Sequence, residues 1–156
     1  DREDSAMDFE TVFIIAIMVL GFSAWKFIPR FIAQVPFVQP AEVMKAMGEN
    51  RIEVIIDVRA HGDYIGDSGH IEGAINLPYG YMSERLTKVE QDLGPYKHEP
   101  ILIAAGGDTL AAHSARLLRK IGFSNIAILK GGMKRWSNMG MPVEHGLPAD
   151  AEIKMD

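Results

Sequence analysis

The stretch ILIAAGGDTLAAHSARLL, Ile101 to Leu118, reads as an apolar strand, a glycine-bearing turn and a helix. An α/β protein often places a nucleophile or an anion site at such a turn. Nucleophilic catalysis needs an activated hydroxyl, thiol or amine. The turn Ala105-Gly106-Gly107-Asp108-Thr109-Leu110 carries no Cys, Ser, Lys or Arg. The chain has no cysteine at all, which removes thiol nucleophiles, disulfides, thiolate zinc sites and iron–sulfur ligation together. Thr109 and Ser114 would each need a base. His113 adjoins Ser114, but neighbours on a helix point about 100° apart and do not meet. Asp108 or Thr109 is a natural helix N-cap, worth about 1 kcal/mol. Gly106 and Gly107 permit backbone angles that other residues resist. The five histidines, His61, His70, His98, His113 and His145, form no pair at i, i+3 or i+4, so neither a metal site nor a cofactor is expected.

The elements that must hold this turn begin after a separate N-terminal segment. TVFIIAIMVLGFSAWKFI, residues 11–28, holds one charge, Lys26, near its end. At 1.5 Å per residue it is about 27 Å long and reads as a single transmembrane helix. Trp25, Lys26, Phe27 and Arg30 are placed for the membrane interface, and Pro29 stops the helix. A signal peptide would want a basic start, whereas residues 1–10, DREDSAMDFE, are acidic. Arg2 stands alone before the span while Lys26, Arg30 and Lys45 follow it. The positive-inside bias then puts the N-terminus outside and the rest in the cytoplasm, with a bacterial inner membrane as the expected setting. Residues 29–38 form a proline-containing connector.

From residue 39 on, strands alternate with helices. RIEVIIDVR and ILIAA are apolar enough for strands covered on both faces. IEGAINLP holds a short strand and NIAILKGG a further one. YMSERLTKVEQDLG is helical, with Met82, Leu86, Val89 and Leu93 at three- and four-residue spacing. TLAAHSARLLRKIGF is an amphipathic helix ended by Gly122, and GGMKRWSNMG holds a last short helix. The pattern argues a mostly parallel sheet with helices on both faces over 39–143, followed by a tail, 144–156. The net charge of −5 leaves no footprint for nucleic acid.

DVR at Asp57–Arg59, Tyr64, GHIEGAINLP at Gly69–Pro78, ILIAA, KIGF and NIAILKGGMKRW at Asn125–Trp136 stand in an order that resembles a rhodanese (sulfurtransferase) homology domain. The resemblance implies an α/β fold around a five-stranded, mostly parallel sheet. It implies structural roles for Asp57 and Arg59 as a polar pair, for Gly69, His70 and Gly73, for Gly131 and Gly132 at the turn into the last helix, and for Trp136 on the sheet edge. In active members a Cys closes the strand that ILIAA resembles, becomes a persulfide and passes sulfur on. That position falls on Ala105, and the position five further on, often Arg, is Leu110. The resemblance therefore marks Ala105–Leu110 as a vestigial active-site loop. An alanine methyl supplies no thiolate, and the loop carries Asp108 but no cation for an anion. Related phosphatases, which use the same Cys and a following Arg, are excluded on the same grounds. HGDYIGDSGH is longer than the usual family segment and lengthens a surface loop near the mouth of the old site.

The resulting expectation is a membrane-anchored, non-catalytic rhodanese-like module. It would act as an accessory or assembly subunit of a larger membrane complex, its partners being other membrane-protein subunits and lipid. The alternatives are a small-molecule or anion sensor using the vestigial pocket, or a sulfurtransferase working with a partner's Cys.

Overall fold

The computed structural model describes residues 9–25 and 34–146. Helix α1 is Phe9–Trp25. The domain then runs β1 (Phe37–Val38), α2 (Pro40–Gly48), β2 (Val54–Asp57), α3 (His61–Ile65), β3 (Ile75–Asn76), α4 (Tyr79–Glu84), α5 (Leu86–Leu93), β4 (Ile101–Ala104), α6 (Asp108–Lys120), β5 (Ile126–Leu129) and α7 (Gly132–Asn138). The five strands make one sheet in the order β1-β5-β4-β2-β3, and every pairing is parallel.

Alternation along the strands sorts the core into two layers. Val54, Ile56, Ile101, Ile103, Ile126 and Ile128 point to one face, where Ala111, Ala112, Ala115 and Leu118 of α6 and Val89 of α5 cover them. Ile55, Leu102, Ala104 and Leu129 point to the other, against Val43, Met133 and Trp136. All four residues of β2 and of β4 are buried, as strands sandwiched between two helical layers require.

Three element boundaries differ from the sequence reading. The connector expected over 29–38 ends in strand β1, where Phe37 and Val38 pair with Ile128 and Leu129. The helix expected through YMSERLTKVEQDLG is two helices. Arg85, at φ −122 and ψ 41, leaves the helical region; its N–H closes α4 on Tyr81 O and its own carbonyl opens α5 by accepting Val89 N–H. The domain also runs past residue 143, because Glu144 forms an antiparallel bridge with His70.

The span expected over 11–28 is not supported by the described residues, which reach only to Trp25 of it. Over them helix α1 has 17 residues, about 25 Å. Among the described residues no helix is long and apolar enough to cross a membrane. Residues 10–24 of α1 are nonetheless all exposed, with Met18, Leu20 and Phe22 each more than two thirds so. Lys26, Phe27, Arg30 and the Trp25 side chain, expected at an interface, lie outside the described residues. So do 1–8, 26–33 and 147–156.

Candidate functional site

The loop sits where strand β4 ends. Ala105 is fully buried, and its carbonyl accepts the Met133 N–H at 2.8 Å. Gly106 is exposed and Gly107 half-buried. Neither glycine adopts a left-handed angle: Gly107 is extended at φ −169, a conformation open to any residue, and a Cβ on either would meet nothing within 4 Å. The expectation that the backbone needs glycine there is therefore corrected. The demand falls on Gly132 instead. Its φ is +61, and a Cβ would stand 2.3 Å from Ala105 O and 3.0 Å from Gly107 N. The turn between β5 and α7 packs directly under the loop, and only a bare backbone fits.

Asp108 is not the N-cap. Gly107 holds that position without a side-chain bond, and Asp108 is the first residue of α6. Its Oδ1 accepts the Gly131 N–H at 2.7 Å, which ties the loop to the same turn that Gly132 enters. Thr109 is exposed. Leu110, at the position where the resemblance implies Arg, packs against the core layer of α6. Ser114 is buried and its hydroxyl donates to Leu110 O at 2.9 Å. The His113 ring lies 6.4 Å from the Tyr79 ring. The loop and its helix thus offer no nucleophile paired with a base.

Beside the loop lies a buried polar knot. The carboxylate of Asp57 takes the Arg59 backbone N–H at 3.0 Å, its Nε–H at 3.0 and 3.1 Å, and its Nη2–H at 2.6 Å. Asp57 is fully buried and Arg59 5% exposed. The guanidinium also donates to Ser68 Oγ and Gly69 O. Gly69, at φ +60, leaves no room for a Cβ, which would stand 2.6 Å from Glu144 O. Gly73, also at positive φ, has open space around it.

His70, fully buried, stacks on the Tyr64 ring at 3.7 Å and its Nδ1–H donates to Tyr64 O at 2.9 Å. Its Nε2 is the one buried side-chain nitrogen or oxygen without a hydrogen-bond partner among the described residues, with Glu144 Oε2 3.8 Å away. Burial, with the negative charges of Asp57 and Glu144, raises the Tyr64 phenol above its ordinary pKa, and Arg59 opposes them. Trp136, expected on the sheet edge, is fully buried in the core layer of α7, and its indole N–H donates to Pro142 O at 2.8 Å.

A cleft of about 550 Å³ opens between these groups, lined by Arg59, Gly106, the segment 63–68, helix α7 and the strand-like stretch 141–145. The structure brings the lengthened loop HGDYIGDSGH to the mouth of the vestigial site through Asp63, Asp67 and Ser68. Sequence reasoning missed Lys134, Glu144 and the 141–145 wall. Nothing in their residue types or spacing signals a site, since each reaches it through tertiary contact. Among the described residues no cluster of His, Cys, Asp or Glu is built to hold a metal ion.

Comparison with known proteins bears on the same stretch. The rhodanese-like domain family matches residues 39–139. The uncharacterized protein YqhL of Bacillus subtilis is 30% identical over 106 residues, covering 64% of this chain and 78% of that one. A putative thiosulfate sulfurtransferase of Synechococcus elongatus is 31% identical over 132 residues, 74% of this chain and 40% of that protein. The rhodanese-like domain of the Anabaena Alr3790 protein superposes with a TM-score of 0.57 at 27% identity, over 78% of this chain and 87% of that one. A thiosulfate sulfurtransferase from Pseudomonas aeruginosa, 22% identical, shares the fold with a TM-score of 0.64 over 80% of this chain and 23% of its own. The matched residues 39–139 take in strands β2 to β5, the polar knot and the cysteine-free loop alike, and the chain belongs to the rhodanese-like domain family.

Proposed function

We propose that this chain is a non-catalytic rhodanese-like module serving as an accessory or assembly subunit of a membrane protein complex. The observation that carries the reading is Ala105, closing strand β4 where the family's Cys would stand, in a chain with no other thiol. Persulfide chemistry has no atom to start on. The loop has no cation, its carboxylate is spent on Gly131 N–H, and Leu110 packs, half-buried, against the core. Those residues hold a shape rather than stabilise a reacting anion.

The membrane part of the proposal rests on α1. A helix apolar on every face and exposed throughout is unstable in water unless something covers it. Helices of partner subunits, with bilayer around them, supply that cover. The excess of basic residues after the segment favours the cytoplasmic side of a bacterial inner membrane for the domain.

The test is extraction of native membranes with a mild detergent, then native sizing and mass spectrometry. Retention in the membrane fraction after a high-salt wash, and migration with stoichiometric partner subunits, is expected. Migration alone at its own mass plus detergent would overturn the reading, as would thiosulfate:cyanide turnover by the purified chain. Ala105→Cys alone is expected to stay well below the turnover of a Cys-bearing relative, because no cation enters the loop with it.

A further inference from the structure

Arg59 is nine-tenths buried but not fully spent. Of the five N–H groups of a guanidinium, the Nε–H goes to Asp57, the two on Nη2 go to Asp57 and Gly69 O, and one on Nη1 goes to Ser68 Oγ. The second Nη1–H has no acceptor among the described residues. Arg59 is a wall of the 550 Å³ cleft, a volume within the range that holds small ligands. The same lining includes Lys134 of α7 and, from α3 and its following turn, Asp63 and Asp67. None of these three forms an ion pair among the described residues. Met141 and Val143, both half-buried, supply apolar lining.

This lining selects by charge. A simple anion such as thiosulfate meets Asp63 and Asp67. A simple cation meets Lys134 and a guanidinium. A molecule carrying both signs satisfies both sets of charges.

We propose that the cleft binds a small zwitterion with an apolar body, an α-amino acid or dipeptide. Its carboxylate takes the spare Arg59 Nη1–H and the Lys134 ammonium, its ammonium faces Asp63 and Asp67, and its side chain lies on Met141 and Val143. This site stands independently of whatever covers α1 and of the chain's role in a complex.

The experiment titrates the full chain, purified in mild detergent, with L-leucine, L-methionine, L-valine and dileucine. Binding is followed by calorimetry and by amide shifts at Ser68 and Ser137. At least one probe is expected to saturate with shifts at both amides. Removing either charge from the best free amino acid, as its N-acetyl derivative or its amide, is expected to weaken binding roughly tenfold, the worth of one charge-assisted contact. Lys134→Gln and the double variant Asp63→Asn/Asp67→Asn alter exposed side chains and are expected to give comparable losses with an unchanged unfolding midpoint. The proposal is overturned if no probe saturates, if a singly charged derivative binds as well as its parent, or if thiosulfate displaces the probe.

Discussion

Strands β2 and β4 are neighbours, with Asp57 paired in register to Ala104, yet the chain leaves them very differently. After β2 comes the Asp57–Arg59 knot, where nearly every donor and acceptor is matched. The Asn76 amide adds bonds to the carbonyls of Asp57 and Arg59 at 3.1 and 3.0 Å. After β4 comes a loop with a buried methyl, two bare glycines and a carboxylate turned aside. The difference teaches that the fold over-determines the frame around the old reaction centre and asks little chemistry of the centre itself. Substitutions should divide along that line.

The largest effect is expected from Asp57→Ala. It strands a guanidinium that is 5% exposed, and removing one partner of a buried ion pair costs about 3–5 kcal/mol. Urea unfolding followed by circular dichroism measures it; a loss under 1 kcal/mol would mean that water reaches Arg59 freely. Next comes Gly132→Ala, which forces a Cβ toward Ala105 O at a positive φ. Left-handed strain and overpacking together predict about 2–4 kcal/mol. Because Gly132 belongs to the frame and not to the loop, a neutral result would break the comparison outright.

Asp108→Ala removes the acceptor for Gly131 N–H and should cost about 1–2 kcal/mol. Asp108→Asn keeps a carbonyl there and should recover at least half of it. Equal losses for the two variants would show that the carboxylate's charge, not its hydrogen bond, holds the turn.

Tyr64 gives the comparison a pH dependence. Its hydroxyl donates to Ala74 O at 2.6 Å, and burial raises its folded pKa above the ordinary tyrosine value of about 10. The unfolded chain therefore releases this proton first. The contribution is fully present below about pH 10 and is lost as pH rises from there through the folded pKa. Tyr64→Phe should lower stability by about 1 kcal/mol at neutral pH and flatten the decline on the alkaline side. An unchanged alkaline slope in the variant would assign the decline to other groups.

The frame was legible in the sequence where burial on both faces leaves a pattern. Val54–Ile56 and Ile101–Ala105 read as strands because neither face carries a polar residue, and the paired glycines before Met133 read as a turn. Strand β1 escaped because Phe37–Val38 is too short for a period and sits among prolines. The break at Arg85 escaped because Met82, Leu86, Val89 and Leu93 keep helical spacing across it. Asp108 was misread because an N-cap is a local rule, whereas its partner, Gly131, lies 23 residues away. The cleft was illegible for the same reason: Asp63, Lys134 and Met141 meet only once the sheet has brought α3, α7 and the 141–145 stretch together.

The smallest expected effect is the most discriminating. Gly106→Ala adds a methyl with nothing within 4 Å and no left-handed angle to strain. Stability should change by no more than about 0.5 kcal/mol, the usual range for a surface substitution. Set beside Gly132→Ala, whose Cβ would press on the Gly106 carbonyl carbon, it separates a glycine the fold requires from one it does not. A large loss at Gly106 would show that the loop is held by the fold as tightly as the knot. A neutral change that also weakens binding in the cleft would place the use of that bare backbone on the solvent side, where a ligand approaches it.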